Sequence, residues 1–214
     1  MDNLDIKTKT PLIKINTDPT SYTVLVNKEY PMPKDYVPQD LTIPNVSYSY
    51  SGIYEKSYMR SVAASAIEKM FAEAKKKEKF ELKVVSAYRS YSRQKAIYEN
   101  NVNMRGEEET MMVSAPPGCS EHQTGLAVDV SSDTVKYTLE ESFALSPEGK
   151  WIAKNCHNFG FIIRYPKGKS NITGYSYEPW HLRYVGVNLA TYIHKKKITL
   201  EEYYKTTTVE CKIY

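Results

Sequence analysis

The sequence predicts an α+β domain, a small and mostly antiparallel sheet with helices packed on it and a cleft at the sheet. Two observations carry this. Helical periodicity dominates the first half, in residues 55–77 and 92–102. Short apolar runs bounded by turn residues dominate the second half, at residues 126–130, 161–164 and 177–184.

Taken in order, residues 1–20 are polar, contain Pro11 and Pro19, and read as a flexible leader. Residues 21–214 then read as a single domain. Residues 21–50 hold Val24 to Val26 and then Pro31, Pro33, Pro38 and Pro44, which exclude a long helix and predict an extended, wrapping segment. Over residues 55–77, Met59, Val62, Ala63, Ala66, Ile67, Met70, Phe71 and Ala74 form one helical stripe, closed by Lys75, Lys76 and Lys77. Residues 82–86 predict a strand, and Ser92 is placed to cap a helix running to about 102. Residues 103–121 read as a loop. Residues 126–130 predict a strand. Ser146-Pro147-Glu148 starts a helix that ends near His157, with Gly160 as its stop. Strands follow at 161–164 and 177–184, then a helix at 187–196, and Thr199 with Glu202 makes a capping box for a last short helix. No internal repeat is evident.

Composition bounds the function. A chain of 214 residues with 41% hydrophobic and 25% charged residues suits one domain with a full core. A net charge of +4 is too small to imply nucleic acid and only mildly favours an anionic surface such as a bacterial wall. The 19 tyrosines, many in the first third, read as rigid amphipathic packing. Cys119, Cys156 and Cys211 cannot all pair with one another, and no CxxC suggests a cysteine zinc site. No apolar run is long enough for a transmembrane span, and the first ten residues lack a signal peptide's apolar core. The expectation is a protein at the extracellular face of a bacterial membrane or cell wall, its anchor or signal outside this sequence, or else a cytoplasmic one. A monomer is expected.

The chemistry concentrates around two of the four histidines. His122 lies in Ser120-Glu121-His122-Gln123-Thr124-Gly125-Leu126-Ala127-Val128-Asp129, and His181 in Glu178-Pro179-Trp180-His181. Two imidazoles and a carboxylate make a catalytic zinc set with a fourth position open to water. Gly125 lets the chain turn between His122 and the strand bearing Asp129. In a regular strand Glu178 and His181 would face opposite sides. A bend at Pro179 would bring both to the metal, His181 as ligand and Glu178 as general base.

These residues resemble the VanY-type D-alanyl-D-alanine carboxypeptidases, zinc peptidases related to L,D-carboxypeptidases and VanX dipeptidases. The resemblance rests on Val26-Asn27-Lys28 with Pro33, Ser86-Ala87-Tyr88-Arg89-Ser90 with Gln94, the His122 segment, and Glu178-Pro179-Trp180-His181-x-Arg183-Tyr184-Val185-Gly186. It implies one Zn2+ per chain on His122, Asp129 and His181, with Glu178 as base. It implies Arg89 as the group that polarises the scissile carbonyl, and Ser120 and Gln94 as contacts to the substrate end. The implied reaction removes the terminal D-alanine from peptidoglycan stem peptides ending in D-Ala-D-Ala. Alternatives within the family are an L,D-carboxypeptidase acting on tetrapeptide stems and a D,D-dipeptidase.

The competing readings are specific. Arg89 alone is by default a surface or salt-bridge residue. Cys119 suggests a thiol nucleophile only if a histidine orients it. His157 reads as a capping or packing residue, His194 as solvated, and Trp151 and Trp180 as core, Trp180 alternatively walling the cleft. A non-catalytic wall-binding module would favour loss of Glu178 or a ligand, and a structural zinc site would want four protein ligands.

Overall fold

The structure, a computed structural model, describes residues 14–209. Most of the expected leader and Cys211 lie outside the described residues. The strands are β1 (Leu41–Thr42), β2 (Met59–Arg60), β3 (Leu82–Ser86), β4 (Ala127–Ser132), β5 (Phe161–Tyr165) and β6 (Glu178–Tyr184). The helices are α1 (Ser61–Glu78), α2 (Tyr91–Arg105), α3 (Glu107–Val113), α4 (Pro147–Asn155), α5 (Ser170–Thr173), α6 (Val187–Lys196) and α7 (Leu200–Val209). Four strands form an antiparallel sheet in the order β3-β4-β6-β5. β1 and β2 form a separate two-stranded antiparallel ladder. The α+β architecture is the one the sequence predicts.

Strand alternation sorts the side chains of this sheet. Val128 and Val130 of β4 and Leu182 and Tyr184 of β6 face the main core, where Ile67, Met70 and Phe71 of α1 and Ile152 of α4 pack. Asp129, His181 and Arg183 therefore point to the opposite face. On β5, Phe161 joins the main core while its neighbour Ile162 joins a second cluster with Ile193 of α6 and Leu200 of α7. The wrapping segment does extend along the sheet edge. Val84 of β3 exchanges hydrogen bonds with Ser47 and Ser49 at 2.9 Å each, which covers an edge that would otherwise expose unpaired amides.

Three boundaries differ from expectation. The first helix starts at Ser61 rather than at residue 55, because Met59 and Arg60 are drawn into the ladder with β1. Its first turn is held from a distance: Ser61 donates its amide to Asp40 O at 2.9 Å and its hydroxyl to Asp40 Oδ2 at 3.1 Å. The second helix is capped by Ser90, which accepts from Arg93 N, not by Ser92. The expected loop of residues 103–121 contains α3, whose Glu107, Glu108 and Glu109 place negative charge at the positive end of the helix dipole. Elsewhere the local signals hold: Ser146 caps α4 with Pro147 in the first turn, and Thr199 and Glu202 exchange capping-box bonds of 2.8 and 3.1 Å. Cys119 and Cys156 are free thiols, both buried.

Candidate active site

Antiparallel pairing sets Asp129 of β4 directly opposite His181 of β6. Asp129 Oδ1 lies 3.1 Å from His181 Nδ1, and its Oδ2 lies 3.3 Å from His122 Nε2. The three residues are buried, and one donor atom from each lies within 4.8 Å of the others. His122 arrives from a single 3-10 turn, Glu121–Thr124, ended by Gly125 at φ 68°. A side chain at Gly125 would meet both Arg60 and Leu41 at 3.0 Å, so the turn needs glycine for space as well as conformation.

His122 is oriented by a hydrogen bond from behind, whereas His181 has a buried carboxylate behind it beyond hydrogen-bond distance. His122 Nδ1 lies 2.6 Å from Ala87 O, which makes Nδ1 the protonated nitrogen and turns the Nε2 lone pair toward Asp129. His181 is turned the other way: its Nε2 faces Glu121 Oε2 at 3.6 Å, leaving Nδ1 for the centre. Glu121 is fully buried and held by Arg183 Nη1 at 2.6 Å and Arg164 Nε at 2.7 Å, while Arg164 also pairs with Glu201 at 2.6 Å. Burial pushes the Glu121 carboxyl up, but the two guanidinium groups outweigh it and keep it ionised.

The donor set fits a metal cation. Asp129 Oδ1 is buried and accepts no hydrogen bond. Burial draws the His181 imidazole down, but the carboxylates of Asp129 and Glu121 outweigh it and raise its pKa to about 9. Such a centre calls for positive charge, and a neutral histidine pair with one carboxylate is zinc's open three-ligand set.

Glu178 reaches the same centre through an irregularity in the sheet. Ile163 pairs with Leu182 and Tyr165 with Glu178, so two steps along β5 oppose four along β6. The extra residues break strict alternation and bring Glu178 Oε2 to 3.7 Å from His181 Nδ1. Burial raises its carboxyl to about 7, with Asp129 adding to the shift and His181 and Arg89 opposing it.

Arg89 lines the same cleft, which encloses about 390 Å³ and includes Ser120, Tyr177 and Trp180. Its Nη1 donates to Gln94 Oε1 at 2.8 Å and its Nη2 to Ser86 Oγ at 3.3 Å. Gln94 departs from expectation. It is buried and absent from the cleft wall, with its Nε2 donating to Ala115 O at 2.6 Å and its Oε1 accepting from Arg89, so in this structure its amide holds Arg89. Cys119 is buried and its thiol pushed up by that burial, which disfavours a nucleophile. His157 and His194 stack on each other at 3.7 Å and line a different pocket.

Sequence reasoning passed over Glu121, Arg164 and Arg183 as a group. Glu121 and Arg164 are 43 positions apart, and no local pattern links them. The available signals were the positions of Glu121 beside His122 and of Arg183 two residues after His181, each inside a motif.

Comparison with known proteins agrees with this geometry. The family model described as VanY, D-alanyl-D-alanine carboxypeptidase, matches residues 56–187. The chain is 50% identical over 188 residues to "Putative carboxypeptidase YodJ" of Bacillus subtilis (strain 168), covering 88% of this chain and 68% of that one. Among solved structures it resembles the LdcB LD-carboxypeptidase, at 50% identity and a TM-score of 0.85, covering 87% of each chain. It also resembles a mutant of the vancomycin resistance D,D-pentapeptidase VanY in complex with Zn(II), at 32% identity and a TM-score of 0.69, covering 85% of this chain and 98% of that one. The chain belongs to the VanY family of D-alanyl-D-alanine carboxypeptidases and is a peptidase of that family.

Proposed function

We propose that this chain is a zinc carboxypeptidase that releases the C-terminal D-alanine of a peptidoglycan stem peptide, acting at the bacterial wall. The observation that carries the proposal is the convergence of His122, Asp129, His181, Glu178 and Arg89 on one cleft. His122, Asp129 and His181 would hold the metal. Zinc, when bound, supplies Lewis acidity that brings a water's pKa toward about 7. Glu178 takes the proton of the attacking water on a carboxylate oxygen and delivers it to the leaving amine nitrogen. Arg89, planar and always charged, donates to the scissile carbonyl oxygen as negative charge develops there. Ser120 is buried in the same wall and offers a hydroxyl to the substrate's terminal carboxylate.

The resemblance to VanY-type enzymes favours a D-Ala-D-Ala terminus, while the motifs themselves are shared with enzymes that cut the L,D bond. One observation favours a second reading, cleavage of the L,D bond in a tetrapeptide stem: likeness is greater to the LD-carboxypeptidase than to the D,D-pentapeptidase. Incubation with defined pentapeptide and tetrapeptide stems, read by mass spectrometry, separates them. Release of D-alanine that stops with a chelator and returns with zinc supports the shared mechanism, and activity indifferent to chelation sinks it.

A further inference from the structure

A second groove, of about 450 Å³, adjoins the cleft and shares Arg89 as a wall. Its charge balance differs. The cleft sets the carboxylates of Glu121, Asp129 and Glu178 against Arg89 and Arg105, whereas the groove sets three cations, Lys56, Arg89 and Arg93, against one carboxylate, that of Glu55. Among the described residues none of these three forms an ion pair with a carboxylate. The one acid in the groove, Glu55, directs its carboxylate to the amide of Ser90 at the start of α2. The Lys56 ammonium sits 3.7 Å from the centre of the Tyr50 ring, which steadies it without neutralising it. Burial first, and then the neighbouring Arg93, draws Lys56 below its ordinary pKa, whereas Arg89 faces the carboxylates of Asp129 and Glu178 on its cleft side, so the unmet charge of the groove is that of Lys56 and Arg93. Clustered like charges cost stability unless something anionic meets them.

We propose that this groove is a carboxylate-recognising subsite for the upstream part of the stem peptide, filled by the free α-carboxylate of a γ-linked glutamyl residue. The inference rests on the stem-peptide reading given above. An extended peptide advances about 3.3–3.6 Å per residue. On this proposal the chain runs past Arg89, the wall common to cleft and groove, so that a glutamyl unit one or two residues before the residue that donates the scissile carbonyl lies on the Arg93 side. Its γ linkage leaves the α-carboxylate as a side branch, which Arg93 can meet with a two-pronged hydrogen bond and Lys56 with its ammonium. The subsite would select stems bearing the acid over stems in which that carboxylate is amidated.

The test uses the tripeptide L-Ala-γ-D-Glu-L-Lys, which carries no D-alanine to release, in acid and amide forms. Binding to the zinc-loaded protein is measured by calorimetry. The acid form is expected to bind about 5- to 20-fold more tightly, the range of one partly solvated charge-assisted contact. Arg93→Gln combined with Lys56→Met should erase the difference, and Arg93→Glu should reverse it. D-alanine release from a short acylated substrate without a glutamyl residue should stay at the parent rate in these variants, which also shows that they fold. Equal binding of acid and amide by the parent protein overturns the subsite, as does discrimination that survives the double substitution. Because binding is read without hydrolysis, failure here is separate from failure of D-alanine release.

Discussion

Asp129 and His181 face one another across the β4–β6 ladder, and the Asp129 carboxylate bridges to His122 as well. Two paired strands thus fix two of three metal donors by register alone, and only the third depends on a turn. A one-residue slip of β6 would turn His181 into the apolar core.

Replacement of Glu178 should separate chemistry from metal binding. Glu178→Gln is expected to retain zinc near one equivalent per chain, measured by atomic absorption, while kcat falls about 10²–10⁴-fold, the scale of a lost acid–base group. Loss of the metal in a folded variant would make Glu178 a ligand.

Arg89→Lys keeps the charge and loses the planar fork that Gln94 and Ser86 hold in place. The expected outcome in steady-state kinetics is a fall in kcat much larger than any rise in KM. Gln94→Ala should mimic it more weakly, because Gln94 acts on Arg89 and not on substrate. A Gln94→Ala variant that raises KM alone would restore Gln94 as a substrate contact.

In protein stripped of metal, the Glu178 carboxyl should titrate near 7, since burial disfavours its charged form. Zinc should move the midpoint downward, because a nearby dication favours the carboxylate. Carboxyl carbon resonances followed against pH, with Glu178→Gln to assign the signal, check both directions.

Glu121 and Glu201 should stabilise the fold only while ionised. Both carboxyls are pushed up by burial but held below the ordinary range by arginines, so their contribution is present above about pH 4.5 and is lost as pH falls below it. Removing one partner of so buried an ion pair costs about 3–5 kcal/mol. Glu201→Gln should lower denaturant stability at pH 7, with the difference from the parent shrinking toward pH 3. Glu121→Gln should in addition weaken zinc about 10- to 100-fold in chelator competition, because it removes the negative charge that faces the outer nitrogen of the His181 ring. Unchanged zinc affinity would reduce Glu121 to a purely structural part.

The sequence alone determined the elements whose causes are local. The α4 cap at Ser146-Pro147, the Thr199–Glu202 capping box, the bounds of α6 and the apolar stripe of α1 each follow from residues within a turn or two. Motif spacing likewise drew His122, Asp129, His181 and Glu178 together before any fold was known. Tertiary structure decided what depends on partners distant in the chain. β1 pairing moved the start of α1, and Asp40 supplied its cap. The uneven register between β5 and β6 put Glu178 on the metal side, where Pro179 alone gave only the option of a bend. Glu121 is held by Arg164 and Arg183, and the Gln94 amide is engaged by Arg89 and Ala115 O. A buried charge is settled by whichever opposite charge the fold brings within reach, and nothing in its own sequence neighbourhood specifies that partner.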